Sequence, residues 1–129
     1  MKLTILSPTN KIIYDEVTKL SLDSEAGQIE ILPGHEKLVA ALNIGVAKIK
    51  TSDRVEVLAV NGGVLKVEND VLEIITSEAM LTKDIIKKDI EKAILLAQQK
   101  LSATTIPTEL IRIEKEIKYQ KLKEKMSKI

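Results

Sequence analysis

Apolar and polar positions alternate with a period of two through the first half of the chain. Leu3 and Ile5 alternate with Lys2 and Thr4, Leu20 and Leu22 with Lys19, Ser21 and Asp23, and Ala47 and Ile49 with Lys48 and Lys50. Ile29 and Ile31 flank Glu30, Val55 and Val57 flank Glu56, and Leu72 and Ile74 flank Glu73. Successive side chains of a strand point to opposite faces, so each run predicts a strand with one apolar side. Turn residues bound the runs: Ala26-Gly27, Pro33-Gly34-His35, Asn43-Ile44-Gly45, Ser52-Asp53-Arg54, Asn61-Gly62-Gly63 and Asn69-Asp70. Eight or more short strands at this spacing suggest a sandwich or barrel, and one apolar side per strand fits two sheets sharing one core.

The period changes after a join over 77–82. Ile86, Ile90, Ala93, Ile94, Ala97 and Leu101 recur at steps of three and four and form one helical stripe. Thr82 is a candidate N-cap, with Asp84 in the first turn. The segment 102–107 breaks the pattern. Pro107 suits the first position of a second helix, where its missing N–H has no intrahelical partner. Ile106, Leu110, Ile113 and Ile117 continue a stripe there. Two helices of about 18–22 residues across a short polar loop predict an antiparallel hairpin. The fold class is α+β, with an N-terminal antiparallel β-sandwich over 1–82 and a C-terminal antiparallel two-helix hairpin over 83–129.

Composition sharpens this division. The chain has 129 residues and a net charge of +1. Residues 1–82 carry 8 Lys/Arg against 12 Asp/Glu, a net −4, and residues 83–129 carry 12 against 7, a net +5. All five glycines and all nine valines lie in the first half. Glycine serves tight turns and valine suits strands, whereas the Lys, Glu, Leu, Ala and Gln of the second half favour helix. Apolar residues reach 44% and charged residues 30%, enough apolar content to pack a core. No apolar run approaches the roughly 20 residues of a membrane span. The short apolar stretch at the N-terminus does not make a signal peptide, so the expected site is the cytosol.

Candidate chemistry is sparse. With no cysteine, there is no disulfide framework, thiolate nucleophile or thiolate metal site. His35 is the single histidine, so a two-His metal site within one chain is excluded. The aromatic residues are Tyr14 and Tyr119, too few for a platform that stacks nucleic-acid bases. His35 has a pKa range suited to acid–base work. A turn residue bonded to neighbouring backbone is the simpler role for it. Gly62-Gly63 lacks the Lys-Ser/Thr and the strand-to-helix setting of a phosphate loop, and reads as a bend where backbones approach closely. Asp15-Glu16 and Glu114/Glu116 read as solvated charges.

Three features together resemble the epsilon subunit of the F-type ATP synthase, called delta in mitochondria. They are Gly27-Gln-Ile-Glu-Ile-Leu-Pro-Gly-His35, Leu58-Ala-Val-Asn-Gly-Gly63-Val-Leu-Lys-Val, and the order of a strand-built domain before a helical hairpin. The resemblance spans the whole chain. It implies a subunit with no catalytic residues, cofactor or metal, at the cytoplasmic face of the bacterial plasma (inner) membrane. Such a subunit is held there peripherally through its complex. Its implied partners are the gamma subunit, the c-subunit ring and the catalytic beta subunit, with no nucleic acid.

Carried over residue by residue, the resemblance implies gamma contacts at Ser7, His35 and Ala40, and c-ring contacts at Ala26, Gly27 and Gln28. Family members often carry an acid where this chain has Gln28, which moves the weight of that contact from charge to the shape of the turn. Some members bind ATP between the helices through Ile/Leu-Asp-x-x-Arg-Ala. The matching positions run from Ile85 to Ile90, with Ile86 for the Asp and Asp89 for the Arg. An aspartate facing a phosphate repels it, so no ATP binding is expected.

The last helix carries Arg112, Lys115, Lys118, Lys121, Lys123 and Lys125. The resemblance implies an inhibitory helix here, through Arg112, Lys115, Lys118, Leu122 and Met126, with the basic residues meeting an acidic segment of the beta subunit and the apolar ones meeting gamma or beta. A solvated helix face with a Glu114–Lys118 pair is the plainer reading, and Glu109, Glu114, Glu116 and Glu124 dilute the field any nucleic acid would meet. Ile111, Leu122, Met126 and Ile129 fall outside the first stripe at 100° per residue, which suggests a second apolar side. Two other functions fit the same chain: a free-standing β-sandwich adaptor with a helical arm, and an enzyme using His35 with a carboxylate.

Overall fold

A computed structural model describes residues 1–127. Eight strands come first: β1 (Lys2–Leu6), β2 (Lys11–Tyr14), β3 (Val17–Ser24), β4 (Gly27–Ile31), β5 (Leu38–Thr51), β6 (Val55–Glu68), β7 (Val71–Ile75) and β8 (Ala79–Leu81). A 3-10 turn over Thr82–Asp84 leads to α1 (Lys87–Ala103) and α2 (Pro107–Ser127). The chain divides into two compact units, Met1–Leu81 and Thr82–Ile129.

The strands form one hydrogen-bonded path, β2-β1-β7-β6-β5-β3-β4, with β8 on β6. β5 and β6 are 14 residues each and pair antiparallel from Leu38↔Val67 to Lys50↔Val55. Their inward side changes midway. In β5 it passes from Leu42 to Gly45, Ala47 and Ile49, and in β6 from Leu58 and Val60 to Leu65 and Val67. Each long strand therefore serves both layers of the sandwich. One layer is β2-β1-β7 with the Val64–Glu68 half of β6 and the start of β5; the other is β4-β3 with the end of β5, the start of β6 and β8. The core between them holds Leu3, Ile5, Leu20, Ile31, Ile49, Leu58, Leu65, Leu72 and Ile74.

This arrangement corrects two readings. Asn43-Ile44-Gly45 and Asn61-Gly62-Gly63 are not turns between short strands. They face each other inside the long pair, between Leu42↔Gly63 and Ile44↔Asn61, where both strands bend. Gly63 sits at φ +120°, and a Cβ there would run into the Ile75 carbonyl oxygen and lie 3.0 Å from Thr76 Cα. Close backbone approach is thus the reason for glycine at this position. The sandwich is also mixed rather than wholly antiparallel, because β1 and β7 run parallel, Leu3↔Leu72 to Leu6↔Ile75.

Elsewhere the strand pattern matches the alternation. Leu20, Leu22, Ala47, Ile49, Leu72 and Ile74 are buried as expected, whereas Val55 is 58% exposed at the start of β6. The Asn69-Asp70 turn has φ of 50° and 60°, the left-handed pair that joins two strands by a two-residue loop.

The hairpin unit begins differently from expectation. Thr82 opens the 3-10 turn rather than capping α1, with the Ile85 N–H donating to its carbonyl at 3.2 Å. Ile86 is the N-cap and has no side-chain cap, since its side chain carries no oxygen. Pro107 does begin α2. Thr104 closes the interhelical loop: its hydroxyl donates to Glu109 Oε2 at 2.7 Å and accepts from the Ile106 N–H at 3.3 Å.

Ile90, Ala97 and Ile113 are buried as the stripes predict, but Ile86 and Ile106 are exposed at the helix ends. α2 also buries Tyr119, Gln120, Lys123 and Met126. Lys123 Nζ lies 4.9 Å from the centre of the Tyr119 ring, a cation–π distance. Residues 119, 123 and 126 follow one another at i, i+4 and i+7, so Met126 belongs to the Tyr119 face. It is 5% exposed and is not part of an outward second side with Ile111. Ile129, assigned to that side from the sequence, lies outside the described residues.

Candidate functional site

The outer face of the first layer is the clearest candidate surface. Alternation along its strands puts Leu6 of β1, Ile75 of β7, Val64 of β6 and Ala41 of β5 on the side away from the core. Their register aligns them, Leu6↔Ile75, Val64↔Ile75 and Ala41↔Val64. They make an apolar stripe across four strands, about 14 Å long at about 4.8 Å per strand. Ile75 is 52% exposed and Val64 42%. Ile13, Val39 and Val71 add exposed apolar positions to the same face, with Lys66 opposite Glu73 among them. Alternation in single strands predicts that one side is wet. It does not predict that the wet side of four neighbouring strands is apolar in one row, which needs the register.

Ser7 and Ala40 are chain neighbours of the stripe's end residues, Leu6 and Ala41. Ser7 follows Leu6 in the β1–β2 loop, where its N–H donates to the Asn10 carbonyl at 2.9 Å and its hydroxyl to the same oxygen at 3.2 Å. Ala40 precedes Ala41 on β5, half-buried on the core side and opposite Leu65.

His35 lies apart from them, in the loop between β4 and β5. Its N–H donates to the Leu32 carbonyl at 3.1 Å, and the loop is tied to the β6–β7 turn by the Gly34 N–H, which donates to Asp70 Oδ1 at 2.8 Å. His35 Nδ1 lies 2.7 Å from the Glu36 carbonyl. A carbonyl only accepts, so Nδ1 carries the proton and the ring is engaged with backbone, not with a carboxylate.

Ala26, Gly27 and Gln28 come together at the tip of the β3–β4 hairpin, in the second layer. Glu25 and Ala26 form its turn, between the paired Ser24 and Gly27. Gly27 has φ +116°, a conformation that favours glycine. The buried Ser24 hydroxyl donates to the Gly27 carbonyl at 2.7 Å and accepts from the Ala26 N–H at 3.2 Å. All three turn residues are exposed.

On α2, Arg112, Lys115, Lys118, Lys121 and Lys125 are all exposed. Lys115, Lys118, Leu122 and Lys125 fall within one face at 100° per residue, with the exposed Ile111 among them. Leu122 therefore keeps company with the basic residues, and Met126, at the edge of the same face, is buried rather than exposed beside them. At the start of α1, Asp89 occupies the first turn, beside exposed Lys87 and Lys88. Among the described residues no group of three or more His, Asp and Glu is placed to hold a metal ion, and no helix is long and apolar enough to cross a membrane.

Comparison with known proteins agrees with this geometry. Residues 1–82 match the family described as ATP synthase, Delta/Epsilon chain, beta-sandwich domain. The chain is 34% identical over 98 residues to the chloroplastic ATP synthase epsilon chain of Zygnema circumcarinatum, covering 76% of this chain and 74% of that one. It is 32% identical over 110 residues to the ATP synthase epsilon chain of Bacillus subtilis (strain 168), covering 85% and 83%. Its fold is similar to a chain in the mitochondrial ATP synthase structure of Euglena gracilis, with a TM-score of 0.72 at 24% identity, covering 93% of this chain and 76% of that one. The strand-built unit, its glycine bend and the sequence match over it together show that the chain belongs to the ATP synthase delta/epsilon family.

Proposed function

We propose that this chain is a non-catalytic subunit of the central stalk of a proton-translocating F-type ATP synthase. In this reading the sandwich grips the foot of the gamma subunit and rests on the c-subunit ring. Rotation of the ring reaches gamma through it. The hairpin is regulatory: it reaches the catalytic beta subunit and inhibits ATP hydrolysis. The chain works at the cytoplasmic face of the bacterial plasma membrane, held there by the complex.

The observation that carries this reading is the apolar stripe Leu6–Ile75–Val64–Ala41 across four strands of one exposed sheet face. Contiguous exposed apolar surface marks a protein interface, and Ser7 adjoins it where Leu6 ends β1. The β3–β4 turn supplies the ring contact through Ala26, Gly27 and Gln28. Torque passes between the two contacts through the hydrogen-bonded sheet, β4-β3-β5-β6-β7-β1. Titration of the full chain with purified gamma subunit in a calorimeter tests the reading. It predicts saturable one-to-one binding with a negative heat-capacity change, the mark of apolar burial. No binding at micromolar concentration contradicts it.

The basic face of α2 gives a second expectation. Reversing Lys115, Lys118 and Lys125 to Glu places negative charge where an acidic segment is to dock. Steady-state ATPase of the complex with this variant should rise severalfold over the complex with the unaltered chain. These three side chains are exposed, so the thermal midpoint of the free chain should move little. An unchanged ATPase rate assigns the lysines to solvation alone.

A further inference from the structure

The ladder that carries the β3–β4 turn is interrupted just before it. Ser21 pairs with Lys48, but the next pair is Ser24↔Leu42. Leu22 and Asp23 of β3 therefore face the whole of 43–47 in β5. A cavity of about 10 Å³ lies in this gap, lined among others by Leu22, Asp23, Asn43, Gly45 and Val60. Asp23 fills part of the opening: a Cβ on Gly45 would lie 2.7 Å from Asp23 Oδ2, so glycine there leaves room for the carboxylate.

Beyond the gap, polar bonds tie the turn back to β5. The Glu25 N–H donates to the Ala41 carbonyl at 2.9 Å. The Asn43 side-chain amide donates from Nδ2 to the Ser24 carbonyl at 3.0 Å. The Ser24 hydroxyl is already committed within the turn, to Gly27 and Ala26.

We propose that Asn43 is a positioning residue, whose amide fixes the Ala26–Gly27–Gln28 turn against β5 across the break in the ladder. The proposal rests on the reading of that turn as the ring contact. β5 is also the strand that brings Ala41 to the gamma-facing stripe. Asn43 thus shortens the mechanical path between the two contacts: a load on the turn passes into β5 directly, without bending the open segment of β3. The task needs a donor aimed at a carbonyl. Asparagine meets it at this reach, and aspartate of the same shape, a carboxylate with no proton to give, does not.

Isosteric and donor-keeping substitutions separate this role from packing. In the assembled synthase, Gln28→Cys provides a thiol at the turn, and a bifunctional maleimide reports its approach to the c subunit. Against that background Asn43→Ala and Asn43→Asp should slow cross-linking by about two- to tenfold, the range a single lost hydrogen bond supports. Asn43→Gln, which keeps the donor, should stay within about twofold of the parent. In the free chain, exchange of the Glu25 amide hydrogen should quicken by a similar factor in the Ala and Asp variants.

Two results overturn the proposal in different ways. If Gln28→Cys forms no cross-link to the c subunit with Asn43 intact, the ring reading of the turn falls, and the role of Asn43 falls with it. If the cross-link forms and Asn43→Asp matches the parent in both cross-linking and exchange, the ring reading stands and Asn43 is only a space-filler.

Discussion

Gly63→Val is expected to destabilise the sandwich by about 3 kcal/mol or more. Two costs add. At φ +120° a β-branched side chain is held in a conformation that L-residues rarely adopt. The new Cβ would also meet the Ile75 carbonyl oxygen, which is backbone of the neighbouring strand and cannot rotate away. Relief requires β7 to separate from β6 near Val64↔Ile75, the centre of the apolar stripe. Urea unfolding followed by circular dichroism measures the loss. Gly62→Ala should cost less, because a Cβ there would meet the Leu42 carbonyl at 3.4 Å and the φ of +68° is nearer the left-handed helical region that other residues visit. Equal stability of Gly63→Val and the parent would remove the bend from the account of the fold.

The second large effect is on assembly rather than stability. Val64→Asp with Ile75→Lys places two charges in the middle of the stripe. Both positions are open to water in this structure, so the free chain should lose no more than about 1 kcal/mol. In the complex both charges are taken out of water, and desolvating an ion costs several kcal/mol, which their mutual attraction offsets only in part. Affinity for gamma should drop by at least about 100-fold. The pair is cross-strand and opposite in sign, so the two charges partly screen each other in the free chain. Calorimetric titration of the variant beside the parent measures the difference. Unchanged affinity would move the gamma contact off this face.

What the sequence made legible is what local pattern controls. Strand positions, inward residues such as Leu3, Ile5, Leu72 and Ile74, the Asn69-Asp70 turn and the start of α2 at Pro107 all follow from neighbours within a few residues. Long-range pairing was less visible. Glycine and asparagine carry the same meaning to a local reading whether they end a strand or bend it. Only the unbroken β5–β6 register shows that Asn43 and Gly62 lie within one hairpin. The parallel pairing of β1 with β7 has no local signature at all. Ile86 as a cap without a side-chain bond departs from propensity. Burial of Tyr119 beside Lys123 was hidden because an apolar stripe counts neither residue. The candidate surfaces divide the same way. The β3–β4 turn was visible in Ala26-Gly27, whereas the apolar stripe and the tie from Asn43 required strands distant in sequence to be set side by side.

The most direct test of the central claim is the ATPase rate of the gamma-containing catalytic hexamer, titrated with the full chain and with a chain ending after Thr82. The account predicts that both saturate at the same concentration, because the sandwich does the binding, and that only the full chain lowers the rate. Equal inhibition by the shortened chain, or no effect of the full chain at saturation, would contradict the division of labour between sandwich and hairpin.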